Sequence, residues 1–167
     1  MKNQDEYIKG EEFHSEIKKV YKGLYKWGVN KKNEEMAKVV YEPVHENNKY
    51  EDERRGKGKC FATWVFTEEE GIAEDIFSTK LELIIDTTLE ANASIGLHYH
   101  NNTEEVYYII DGSITMTTIN PVGEELTQEL TQELHPGDAH MVKLGQGHYG
   151  TAGIKGVRFI TFAVKKS

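Results

Sequence analysis

The chain has 167 residues, enough for one domain with its own core and short for two. Its 28 acidic side chains outnumber 20 lysines and arginines, and the formal net charge of -8 repels phosphate backbones and argues against a nucleic-acid partner. Cys60 is the single cysteine, no apolar run approaches the roughly 18 residues that cross a membrane, and the polar first residues carry no export signal, so the expectation is a cytoplasmic protein without an internal disulfide.

Phe13, Ile17, Val20, Tyr21 and Leu24 recur at helical spacing with lysines between them, which predicts an amphipathic helix over about 11–25 ended by Gly28. Its apolar stripe suits docking onto the body of the domain. Trp27 either joins that docking or lines a pocket mouth. Residues 36–41 read as a short strand stopped near Pro43. The segment 45–58 is almost wholly polar and reads as a surface loop; Arg54, Arg55 and Lys57 there are either an anion site or a solvated charge run. The expected division is an N-terminal extension over 1–58 and a β-domain over 59–167.

From Cys60 onward the pattern is of strands: 61–67, 80–86, 95–100, 105–110, 113–119, 139–144 and 157–164, with Gly or Pro at most breaks. Many short strands with regular turn signals predict a mainly β sandwich or barrel. Residues 126–134 carry Leu126, Leu130 and Leu134 in a four-residue repeat. That spacing fits one face of a helix, and because it is even it also fits one face of a strand. The flanking strands favour a strand followed by a loop.

The chemistry concentrates in the stretch from Leu97 to Gly112. On a strand His98 and His100 project to the same face, roughly 6.5–7 Å apart along the backbone, so two imidazoles can chelate one cation. Asn101, Asn102 and Thr103 suit a turn that returns Glu105 on the next strand. Its carboxylate adds a hard oxygen donor to two nitrogens. Glu105, Tyr107 and Ile109 share one face of that strand, and Val106, Tyr108 and Ile110 share the other. Both faces are apolar, so both are expected to be covered, the second by the N-terminal segment or another subunit. Further on, Pro136, Gly137 and Asp138 make a tight turn into a strand, and Gly145 and Gly147 present His148. Alone, His148 is an ordinary histidine; beside His-x-His-x₄-Glu it is the natural third imidazole.

These residues resemble the cupin superfamily. Its first motif is Gly-x₅-His-x-His-x₃₋₄-Glu-x₆-Gly, matched by His98, His100, Glu105 and Gly112, with Asn92 at the leading glycine. Its second is Gly-x₅-Pro-x-Gly-x₂-His-x₃-Asn, matched by Gly137, Gly145 and His148, with Lys143 at the proline and Ala152 at the asparagine. The resemblance covers about residues 80–164. It implies a double-stranded β-helix (jelly-roll) barrel, here with an N-terminal helical extension. It also implies a divalent transition metal (Fe, Mn, Ni, Zn, Co or Cu) on His98, His100, Glu105 and His148, and a homodimer.

Two further residues are candidates for catalysis. Tyr107 shares the face of Glu105 and is either a proton or hydrogen-bond donor or a core filler. His140 faces either the interior, where it is a candidate base, or the outside. Asp138 caps its own turn, His135 is solvated, Glu82 faces either the pocket or the solvent edge, Glu104 points away from the metal, and His14 and His45 have no motif around them. The expected function is a metal-dependent enzyme of oxygenase, isomerase or lyase type acting on a small organic substrate. The alternative is a non-catalytic module that binds or senses a small molecule.

Overall fold

The computed structural model describes residues 7–10, 31–68, 76–122 and 126–167. The helix expected over 11–25 and Trp27 lie outside the described residues. Among the described residues nine strands make one curled sheet: β1 (Ile8–Lys9), β2 (Ala37–Tyr41), β3 (Cys60–Thr67), β4 (Leu81–Leu89), β5 (Ser94–Tyr99), β6 (Thr103–Val122), β7 (Leu126–Leu134), β8 (Ala139–Val142) and β9 (Gly147–Lys165). Their order is β1-β2-β3-β4-β9-β6-β7, with β5 pairing β9 and β8 pairing β6. Among the described residues the only helical pieces are short 3₁₀ turns such as Asn33–Glu35 and Glu53–Arg55.

The fold is a mainly β jelly-roll-like barrel, and its two longest strands run past the breaks that their sequence suggests. β6 continues through Gly112, and β9 runs from Gly147 through Gly156 without interruption. Gly112 and Gly156 have φ of 75° and 79°, a region L side chains rarely adopt. A Cβ on Gly112 would also collide with the carbonyl oxygen of Gly156. At this double bend and its bulges each strand changes direction and keeps its ladder. The first half of β6 pairs with β8 and the last part of β9; the second half pairs with β7 and the first part of β9. Residues 126–134 resolve as a strand in antiparallel register with β6, tied by a 2.8 Å hydroxyl bond between Thr117 and Thr131.

Alternation along the strands sets the interior. Cys60, Ala62 and Trp64 on β3, Leu83, Ile85 and Thr87 on β4, Glu105 and Tyr107 on β6, and Phe159 and Thr161 on β9 all face inward. One part of the interior is filled by a cluster that includes Leu89, Ile109, Ile114, Met116, Val157 and Phe159, each at most 3% exposed. Tyr107 stacks on Phe159 with ring centroids 4.6 Å apart. Ala37, Val39, Ala62, Trp64, Leu83 and Ala163 pack a second cluster, and an open cavity lies beside them, lined by Trp64, Ile85, Glu105 and Tyr107 among others.

The polar segment 45–58 is more than a surface loop, because its backbone is fastened to β5. Gly96 N donates to Val44 O at 3.2 Å, Asn47 Nδ2 donates to Leu97 O at 2.9 Å, and Lys57 bridges Ser94. Within the segment Asn47 N donates to Arg55 O at 2.8 Å. Its arginines pair with neighbouring acids, Arg54 with Asp52 and Arg55 with Glu46 and Glu51. Close approach depends on Gly96, where a Cβ would run into the carbonyl oxygens of His45 and Arg55. Gly96→Ala is therefore expected to destabilise the fold by about 1–3 kcal/mol, the range for forcing atoms into a packed interior, as read from urea unfolding.

Candidate metal centre

The four side chains singled out by the His-x-His-x₄-Glu pattern and His148 converge. One donor atom from each of His98, His100, Glu105 and His148 lies within 4.8 Å of all the others. Register brings them there. His98 and His148 are cross-strand partners on β5 and β9, and Glu105 lies on β6, which also pairs with β9. His148 Nε2 is 3.0 Å from His98 Nε2 and 3.1 Å from His100 Nε2. Glu105 Oε2 is 3.6 Å from His100 Nε2 and 4.0 Å from His148 Nε2. His148 is fully buried, and His100 nearly so.

Hydrogen bonding on the far side of each ring fixes which nitrogen faces the centre. His98 Nδ1 is 2.9 Å from the Gly96 carbonyl, which can only accept, so the proton of the neutral ring sits on Nδ1. His98 Nε2 is then a bare lone pair. His100 Nδ1 faces Thr103 Oγ1 at 3.4 Å, and His148 Nδ1 lies 2.9 Å from His140 Nε2. Each ring thus has a partner for an Nδ1 proton and can leave Nε2 free. A single proton on His148 Nε2 could reach one of its two nitrogen neighbours, not both. A cation at the centre satisfies all of them. Adjacent donors about 2.1 Å from an ion lie about 3 Å apart, which is the spacing of these nitrogens. The donor set fits a divalent metal ion.

Burial keeps the rings neutral, as metal ligation requires. It pushes His98 and His148 well below the ordinary imidazole value, with neighbouring histidines adding to the effect. It lowers His100 to about 4, and with help from His100 it lowers His45 and His140 to about 4. Burial, and next the Glu105 charge, hold the Tyr107 hydroxyl well above its ordinary value, and Tyr107 and Glu105 share a side-chain hydrogen bond. A phenol that stays protonated is the donor in that bond.

The other sequence candidates separate. Tyr107 lines the open interior. His140 lies behind His148, its ring parallel at a centroid distance of 5.1 Å, away from the open interior. Asp138 accepts from His135 N at 2.8 Å, and His135 is exposed. Glu82 does not line the cavity; its side chain is largely covered and lies 3.9 Å from Lys165 Nζ.

His45 is the residue that sequence reasoning missed. Its ring lies flat on His98, 3.8 Å between centroids at an interplanar angle of 14°. It also lines the open interior, a cavity of about 290 Å³. Glu105, Tyr107, Trp64, Ile85, Thr87 and Thr161 form much of the remaining wall. Glu105 is thus shared by the donor set and the cavity.

With no metal bound, the depressed imidazoles make stability depend on pH. An unfolded chain takes up protons on these rings below pH 6.5, whereas folded His45, His100 and His140 resist protonation until about pH 4. Stability of the metal-free protein is therefore full above pH 6.5 and falls as the pH drops toward 4, read as a falling urea midpoint.

A family model described as cupin matches residues 81–167. A search of curated proteins finds no match. Among solved structures, a predicted oxalate decarboxylase from Thermotoga maritima superposes with a TM-score of 0.58 at 18% identity, covering 83% of this chain and 100% of that one. An oxalate decarboxylase variant from Bacillus subtilis gives 0.51 at 24% identity, over 65% of this chain and 26% of its own. The Cnp3 cupin domain of Schizosaccharomyces pombe gives 0.50 at 14% identity, over 64% and 65%. At these identities the likeness is one of fold, and function has to be argued from the site.

Proposed function

We propose that this chain, which belongs to the cupin family, is a metal-dependent enzyme acting on a small organic molecule inside its barrel. One observation carries this reading: Glu105 belongs both to the convergent donor set and to the wall of a cavity of about 290 Å³. His98, His100, Glu105 and His148 would hold the ion. When bound, such an ion supplies Lewis acidity toward a substrate oxygen.

The chain's own residues do the rest. Tyr107 holds the Glu105 carboxylate in place through its hydrogen bond. His140 Nε2 can accept a hydrogen bond from the Nδ1–H of His148, which leaves Nε2 of that ring free and makes His140 a positioning residue. His45, neutral and in the cavity wall, can accept a proton from a bound substrate. The apolar remainder of the wall excludes water. The same donors serve oxygenase, isomerase and lyase chemistry.

The second reading, a module that binds its ligand without turning it over, draws support from the predominance of apolar wall residues. Turnover separates the two, beginning with oxygen consumption by the iron-loaded protein. A homodimer is supported by the outer face of β6, β8 and β9, where Tyr108, Met141, Phe162 and Val164 are 37–46% exposed. Phe162→Glu should then convert a dimer to a monomer in light scattering.

The expected metal content of the wild type is about one ion per chain by elemental analysis, and that of His98→Ala or His148→Ala below about a tenth of this. Wild-type metal content in both variants would show that these residues are not the ligands. His140→Leu is expected to retain the site with about 10–100-fold weaker affinity in a chelator competition.

A further inference from the structure

The charge of the cavity wall narrows the substrate, and this step rests on the metal reading above. Among the described residues, no lysine or arginine lines the cavity. Its acidic member is Glu105, already one of the metal donors. His45 lies flat on the His98 ring. A divalent ion held by three neutral imidazoles and one carboxylate leaves a single net positive charge. A monoanionic ligand neutralises it. A dianion leaves one negative charge uncompensated among Trp64, Leu83, Ile85, Ile95 and Phe159, and an unpaired charge in an apolar interior is costly.

The shape of the cavity points the same way. At about 290 Å³ it is far larger than a two-carbon diacid needs. Its wall is mostly aromatic and aliphatic, with His45, Glu105, Thr87, Thr161 and the tyrosines Tyr41 and Tyr107 as its polar members. Such a surface rewards an apolar body at about 25 cal/mol for each Å² removed from water.

We infer that the barrel takes a monoanionic oxygen ligand bearing an apolar body, such as an aromatic or branched hydroxy acid or enol, and rejects small dicarboxylates. This sets the chain apart in substrate class from the oxalate decarboxylases whose fold it shares.

Three α-hydroxy acids with the same chelating head test the inference. Mandelate carries a phenyl group, lactate a methyl group, and tartronate a second carboxylate. The full-length protein is loaded with Co(II), desalted and checked for cobalt content, and each acid is titrated against its visible spectrum. The expected result is mandelate binding at least about tenfold more tightly than lactate, with tartronate weaker than both. Ala62→Leu, which fills part of the cavity, should bring mandelate down to the affinity of lactate and leave cobalt content unchanged. Tartronate binding as tightly as mandelate, lactate equal to mandelate, or no spectral response to any of the three would overturn the inference while leaving the metal site standing. A protein that takes up no cobalt overturns the metal reading and this inference with it.

Discussion

The Nε2 lone pair of His148, held about 3 Å from those of His98 and His100, is repelled by both unless something positive lies among them. This molecule enforces that arrangement through strand register. His98 and His148 face each other because β5 and β9 pair as they do, with a register irregularity between Ile95 and His98. Slipping either strand by one residue would turn its imidazole to the opposite face. The Nδ1 partners then hold the rings by their outer edges, from Gly96 O, Thr103 Oγ1 and His140. The barrel and the long bent strands β6 and β9 are the means by which this unfavourable convergence is kept ready for a cation.

Much of this could be read from the residues, for a definite physical reason. A strand has a period of two, so His98 and His100 two apart declare a shared face, and Glu105 follows after a turn whose residues suit it. His148 was legible only through their company. His140 was not, because the turn at 143–146 between it and His148 breaks the alternation that would have carried its direction forward. Residues 126–134 stayed ambiguous because an even spacing of leucines satisfies both periods, and pairing with β6 decided the matter. Leu130 on that strand is 60% exposed, so the repeat does not mark a buried stripe.

His45 was beyond reach for a different reason. It sits outside any periodic element, at a φ of 51°, and meets His98 only through the folded approach of two distant segments. The signal that could have found it is Gly96, a glycine inside the very strand that carries the histidines. Glycine in a strand often marks a place where another backbone comes close, and here that backbone is the carbonyl of His45.

The two parts of the pocket come from different stretches of chain. Every donor of the cluster lies inside the segment 81–167 that matches the family, whereas Tyr41, Val44, His45, Cys60, Ala62 and Trp64, a large share of the wall, precede it. Exchanges in β2 and β3 therefore alter the cavity wall at positions that carry none of the four donors, whereas His45, stacked on His98, touches both. The matched segment alone therefore carries the four donors and leaves a large share of the cavity wall behind.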